Sequence, residues 1–411
     1  MYTLPSKLKL FAIICMILGA LGIMAGFYTA PSSTAEVKEM LASHGDGHGA
    51  EAAHGVSNDH GGESHGAEAT HNIAETDGHG ESAAHEDDAH AEHVLHQMQN
   101  RPWSALYIAC FFFFMIALGV LAFYAIQYAS QAGWSPVLFR VMEAITAYLV
   151  PGGIIMFVLL GLSGFHINHL FVWADPEVVA HDKLLQGKAG WLNSYGFIIR
   201  AAIFLGGWIL YRQYAVKFSR KSDDANDYSY FKKTFRISAA FLVFFIYTES
   251  MMSWDWLMSF DPHWFSTLYG WYIFAGMMVC GFTAIAMITI YLKSKGYLEF
   301  VNDSHIHDLG KWMFAFSIFW TYLWFSQFML IWYANIPEEV TYFVTRIEDF
   351  KLPFFGMLAI NFIFPVLLLM NSDYKRVNWF IILTGIVILA GHYIDLFVLV
   401  MPGTVGTSWF I

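Results

Sequence analysis

Nine long apolar runs constrain this chain more than any other feature, at residues 8–29, 103–127, 138–164, 193–213, 234–257, 265–293, 310–334, 352–371 and 377–401. A helix needs about 20 apolar residues to cross a hydrocarbon core. In lipid every backbone N–H and C=O must be satisfied within the segment, so each run is expected to be a helix. Charged residues make up only 13% of the chain and hydrophobic ones 57%, which excludes a soluble globular class. The sequence therefore predicts an all-α polytopic membrane protein with nine transmembrane helices. The first run follows Lys7 and Lys9, is longer than a signal-peptide core, and has Tyr28 where a small residue would be cleaved; it reads as a retained anchor over residues 1–30.

Charge is distributed unevenly. Residues 30–100 hold 14 Asp and Glu against the single Lys38, so the net charge of −11 describes one loop. The opposite bias lies at 212–236, with Arg212, Lys217, Arg220, Lys221, Lys232, Lys233 and Arg236. Basic residues collect in cytoplasmic loops. That rule places this segment and the N-terminus in the cytoplasm, with fifteen basic residues inside and six outside, and residues 30–102, 165–192, 258–264 and 335–351 on the far side of a bacterial inner membrane. Within 31–102, eleven histidines between His44 and His96 alternate with Gly, Ala, Ser and acids. This composition predicts a disordered linker that leans on partner proteins. Loose Zn²⁺, Cu²⁺ or Ni²⁺ binding is a second reading, though the irregular spacing argues against one defined site.

Few residues point to a resident cofactor. Cys15, Cys110 and Cys280 are far apart in apolar runs, without CxxC or CxxCH, and read as buried structural thiols. Haem with two axial histidines is disfavoured, because only His392 lies deep in a span and His166 at a margin. No phosphate-binding or dinucleotide-binding fingerprint is present, and no catalytic or metal-ligating residue is assigned.

Ionisable groups inside spans are costly and usually functional. Counting about 1.5 Å of rise per residue, Glu249 lies roughly 12 Å and Arg200 about 10 Å below the outer surface, so these two are expected to meet. The same arithmetic puts His392, Asp395, Gln327 and Asn361 at roughly 9 to 13 Å. His392 and Asp395, three positions apart, share a helical face, where a carboxylate can orient an imidazole or exchange a proton with it. Gln327 and Asn361 also read as interhelical glue. Asp255, between Trp254 and Trp256 and just before the turn-like FDPHW, reads either as a solvated or loop-capping acid or, with the other buried groups, as a proton-path candidate, and Trp254, Trp256, Trp264, Trp271 and Trp409 read as interface-belt residues. His166, His169, His181 and His263 fall in or near outer loops. Glu143 lies one turn from Arg140 on the inner side. A polar layer in one leaflet fits a half-channel or head-group pocket opening outward.

Four segments carry a resemblance: WDWLMSFDPHWFSTLYGWYIFAGMMV (254–279), HDLGKWMFAFSIFWTYLWFSQFMLIWYANIPEE (307–339), FFGMLAINFIFPVLLLMNSDYKR (354–376) and GHYIDLFVLVMPG (391–403). Over essentially all spans from residue 103 onward the chain resembles the ActF-type membrane subunits of alternative complex III, the bacterial quinol:cytochrome c oxidoreductase. More distantly it resembles the polysulfide-reductase membrane-subunit (NrfD/PsrC-like) family. The resemblance implies two four-helix bundles, residues 103–257 and 258–411, with outer helices, and ordinarily a tenth span. It implies no cofactor on this chain, with menaquinol or another quinol as substrate of the complex and haem c and iron–sulfur clusters in its partners. Those partners would be a PsrC-like sister membrane subunit, an iron–sulfur/molybdopterin-like periplasmic subunit, multihaem and monohaem cytochrome c subunits, and in some cases a haem–copper oxidase. The chain would then serve as scaffold and as a proton route in a respiratory chain, with Glu249 and the His392/Asp395 pair as stations and Arg200 tuning Glu249. Two other readings stay open: a purely structural anchor, and a secondary transporter, for which Pro151-Gly152-Gly153 and Pro365 are the only candidate helix breaks.

Overall fold

The computed structural model describes residues 5–44 and 79–410. All regular structure among them is helical. The elements are α1 (Ser6–Thr29), α2 (Thr34–His44), α3 (His79–Ala129), α4 (Phe139–Thr146), α5 (Leu149–Gly164), α6 (Pro176–His181), α7 (Lys183–Lys188), α8 (Ser194–Asp223), α9 (Ser229–Trp256), α10 (Tyr269–Ser294), α11 (Asp303–Ala334), α12 (Pro337–Glu348), α13 (Lys351–Leu358), α14 (Phe364–Leu369) and α15 (Asn378–Thr404). Among the described residues nine helical segments are long and apolar enough to cross a membrane, at the nine places the apolar runs predict. The helices overrun the apolar runs most at the start of α3, which begins at His79, and next at 212–236, where α8 continues to Asp223 with Arg220 and Lys221 in its last turn. Cations there offset the partial negative charge of the unpaired carbonyls.

The chain forms two compact units. In the smaller (residues 1–101 and 408–411), Val37 of α2 packs with Val94 and Met98 of α3, and the Gln99 amide donates to the Pro31 carbonyl at 3.2 Å. The expectation of disorder across 31–102 therefore does not hold at its described flanks. Val94 and Met98, one turn apart, give the end of the His/acid-rich stretch an apolar stripe, and its Ala, Glu and Gln content favours helix. Residues 45–78, with most of the histidines, lie outside the described residues. No residue of α1 is buried, and Cys15 is exposed on it, contrary to the expectation of a buried thiol. Cys110 is half-buried and Cys280 buried.

In the larger unit (102–407) the most buried spans are α3 and α10, which cross at glycines. A Cβ on Gly119 would collide with the Met277 carbonyl, and one on Gly281 would stand 3.2 Å from the Val120 nitrogen. Small residues let membrane helices approach to backbone contact, where dispersion and close packing replace the absent hydrophobic drive. Around this crossing, Phe114 packs between Trp208 (6.1 Å) and Trp256 (5.9 Å), and Phe123 packs edge-on to Phe282 (4.6 Å). α10 also packs against α9, α11 and α15. Trp256 and Trp264 are buried rather than placed in an interface belt.

Both proline-marked breaks are present. Pro151 has no N–H to bond the Ala147 carbonyl, and the third span is interrupted between α4 and α5. The eighth span is interrupted by a π-turn, Ala359–Ile363, between α13 and α14, where Phe364 N–H bonds back to the Ala359 carbonyl. Pro365 cannot donate to the Asn361 carbonyl, which favours this wider turn. The two breaks fall in the second span of one group of four and the third of the other, so they do not correspond.

The ends of α8, α9, α10, α11, α13 and α15 opposite the basic 212–236 side carry structured loops. Asp175 and Asp182 cap α6 and α7 with their side chains. The Lys188 ammonium donates to the Pro262 carbonyl at 2.6 Å, and the His263 ring meets Asp182 at 2.5 Å. That hydrogen bond holds the Asp182 carboxyl below its ordinary value, while burial lowers the Lys188 ammonium. His166, His181 and His263 are exposed and His169 half-buried.

Candidate functional site

The polar residues of the spans fall into three sites rather than one layer. The first joins α8 to α9. Asn193 caps α8 by accepting from Gly196 N–H at 2.8 Å, and Arg200 follows on the second turn. Its Nε lies 2.6 Å from Asp255 Oδ2, and Trp191 Nε1 donates to Asp255 Oδ1 at 2.8 Å. The guanidinium stands 4.3 Å over the Trp191 ring. Asp255 is fully buried in the last turn of α9, where the helix dipole opposes a negative charge. Arg200 offsets both that dipole and the desolvation of the carboxylate. Asp255 is therefore neither solvated nor a loop cap.

Arg200 does not meet Glu249, against expectation. Side chains on a helix lean toward its N-terminus. α8 begins on the side where α9 ends, so Arg200 leans toward the Asp255 end of α9 while Glu249 leans back into the span. Depths of Cα atoms placed the two at one level; side-chain direction separates them.

Glu249 is the second site. It is 3% exposed, its Oε1 has no hydrogen-bond partner among the described residues, and its Oε2 has only Ser250 Oγ at 3.5 Å. The carboxyl lines a cavity of about 150 Å³ with Phe245, Trp271 and Phe274.

The third site sits between α10, α11 and α15. Asp395 accepts from the Tyr272 hydroxyl in a short hydrogen bond and from Trp320 Nε1 at 3.1 Å. His392 Nδ1 lies 3.5 Å from Asp395 Oδ2, and its ring packs edge-on against Trp320 (5.3 Å). Both His392 nitrogens lack a hydrogen bond among the described residues, and the imidazole is 1% exposed. Gly276, one turn from Tyr272, faces the imidazole: a Cβ there would lie 3.6 Å from His392 Nδ1, an ordinary contact. Asn361, in the π-turn, is fully buried with neither amide atom paired among the described residues, and lies so close to Gly391 that a Cβ there would strike it. Gln327 of α11 is also buried, with its amide nitrogen unpaired among the described residues.

The structure thus brings Arg200 to Asp255 and His392 to Asp395, sets Asn361 beside α15, and leaves Glu249 apart. Tyr272, Trp320 and Trp191, which complete the two acid sites, were not singled out from the sequence, because the chain carries 21 tyrosines and 15 tryptophans and nothing in their spacing marks these three. Arg346 was missed too. It is 3% exposed on α12, stacked 3.3 Å over the Tyr342 ring, which itself stacks on Trp264 at 3.7 Å. On the basic side Glu143 is buried, accepting from Arg140 (2.6 Å) and the Tyr124 hydroxyl (3.1 Å), and Arg140 also pairs with Asp223. Among the described residues no group of three or more His, Cys, Asp or Glu side chains is placed to hold a metal ion.

An acid that accepts from a phenol and an indole beside an unpaired imidazole sets groups able to exchange a proton within reach of one another. No family model matches the chain, and no curated protein matches it.

Proposed function

We propose that this chain is a membrane subunit of a bacterial quinol:cytochrome c oxidoreductase of the alternative complex III type, scaffolding its redox partners and conducting protons through part of the membrane beside quinol oxidation. The observation that carries the reading is the buried Tyr272–Asp395–His392 group with unpaired nitrogens on its imidazole. Buried polar atoms are nearly always satisfied by protein or ordered water. His392, Asn361 and Gln327 therefore suit a hydrated path that a proton can follow, with the π-turn holding Asn361 against α15. Glu249, in its own cavity, is a separate station. The resemblance at 254–279, 307–339, 354–376 and 391–403 supplies the redox context: quinol as substrate of the complex, haem c and iron–sulfur centres in a periplasmic iron–sulfur/molybdopterin-like subunit and cytochromes, and a PsrC-like sister beside this chain in the inner membrane with its N-terminus cytoplasmic.

Isolation in mild detergent is expected to bring c-type haem and iron–sulfur proteins with this chain; recovery of the chain without them overturns the reading. In such a complex Asp395→Asn and Glu249→Gln should each lower quinol:cytochrome c turnover per assembled complex and shift its pH profile. Unchanged rate and profile remove the proton route.

The Arg200–Asp255–Trp191 contacts favour a structural part of the same role. Trp191 belongs to the loop before α8, so this ion pair ties a loop to two spans, as a platform for periplasmic partners requires.

A further inference from the structure

A lipid-facing groove of about 550 Å³ runs between α8 and α9, walled by Tyr214, Phe218, Ile237 and Phe241. Its walls are almost wholly apolar, as an acyl chain requires. Gly207 lies on its floor, where a Cβ would displace the Phe244 ring.

The groove continues into a basic cluster. Phe218, on its wall, packs against Tyr230 at 6.3 Å, and two ammonium groups flank that ring, Lys221 Nζ at 5.7 Å and Lys233 Nζ at 5.0 Å. Lys217, Lys232 and Arg236 lie within a turn or two on the same helix ends. Among the described residues none of these five cations forms an ion pair; of the three acids in the turn between the two helices, Asp223 is taken by Arg140, Asp227 accepts from Ser229, and Asp224 follows the last turn of α8. Lysines without an ion-pair partner around an aromatic ring that itself packs on the wall of an apolar groove are complementary to a phosphodiester head with its tail attached. Basic pockets between helices at a membrane surface bind such heads.

We propose that this groove is a binding site for an anionic phospholipid, its phosphate held between Lys221 and Lys233 over Tyr230 and one acyl chain lying along Tyr214, Phe218 and Phe241. The site lies outside all three polar sites described above and does not depend on the proposed redox role. The two halves of the site divide the recognition: the lysines select charge, and the groove takes any chain.

The test uses the full chain in mild detergent, incubated with phosphatidylglycerol or phosphatidylcholine of the same acyl composition, with bound lipid counted by native mass spectrometry. Wild type should retain phosphatidylglycerol at least tenfold more tightly than phosphatidylcholine. Each lysine near the surface contributes about 5-fold, so Lys221→Gln with Lys233→Gln should weaken phosphatidylglycerol roughly 25-fold and leave phosphatidylcholine unchanged. Ala240→Trp, which fills the groove from α9, should weaken both lipids. Lys295→Gln, at the end of α10, should change neither. Circular dichroism of each variant reports its helix content, and Lys221→Arg with Lys233→Arg should restore the preference if charge is what selects. Equal retention of the two lipids by wild type, or a lysine pair whose removal leaves phosphatidylglycerol retention intact, overturns the proposal.

Discussion

Removing the Arg200 guanidinium tests the pairing that differs most from sequence arithmetic. The Asp255 side chain is 1% and the Arg200 side chain 16% exposed, so the two substitutions should be unequal. Arg200→Met leaves a carboxylate buried at a helix C-terminus with only Trp191 Nε1 donating, and should cost about 3–5 kcal/mol, the range for breaking a buried ion pair from one side. Asp255→Asn leaves a guanidinium that can still reach water and an amide that can still accept from Trp191, and should cost about 1–3 kcal/mol. The double variant Arg200→Met/Asp255→Asn removes the stranded charge, so it should be less destabilised than the sum of the singles, with a coupling of about 2 kcal/mol. Reversible unfolding in mixed detergent and SDS micelles, followed by tryptophan fluorescence, measures all four corners. The parallel cycle of Arg200→Met with Glu249→Gln should close to within about 0.5 kcal/mol, because those side chains lean apart. A coupling below that level for Arg200 and Asp255, or an equal one for Arg200 and Glu249, would refute the side-chain-direction argument.

Three further outcomes follow from other contacts. Gly119→Ala should destabilise the protein by about 1–3 kcal/mol, since its Cβ meets main chain rather than a movable side chain; Gly133→Ala, with open space around it, should be neutral in the same unfolding assay. Gly391→Ala should cost a similar amount by driving into Asn361, and Asn361→Ala should recover part of that loss; no recovery would mean that the strain lies elsewhere. The Asp182 carboxyl is held below its usual 3.8 by His263, so the loop contact it makes is complete above that value and is lost as pH falls through the lowered one. Protease cleavage within 165–192 should therefore stay slow down to about pH 4 and rise below it, and in His263→Ala it should be fast at neutral pH.

The spans were legible because hydropathy over a membrane thickness does not depend on tertiary context. The His392/Asp395 pair was legible for a related reason: three positions on one helix fix a shared face whatever surrounds it. Contacts between helices were not. Arg200 and Glu249 have similar Cα depths, yet the direction of each helix sends their side chains opposite ways, and no depth count contains that information. Pro365 signalled a break, but not that the π-turn would set Asn361 against Gly391. Arg346 was invisible because an arginine in a loop between spans ordinarily reaches water; the stack of Trp264 and Tyr342 that buries it joins residues from two separate loops. The helical ends of the acidic segment were missed because its overall composition hid the one-turn spacing of Val94 and Met98.

The backbone contact between Gly119 and Met277 carries a mechanical consequence. Machines that move solutes by alternating access rock one half of the molecule against the other and need a seam that opens on either face. Here the contact is dovetailed: Gly119 and Val120 are seated against Met277 and Gly281, and each glycine lies within close reach of the facing main chain. Rocking α3 against α10 would have to part main chain from main chain at this point, so the contact resists hinge motion between these two helices.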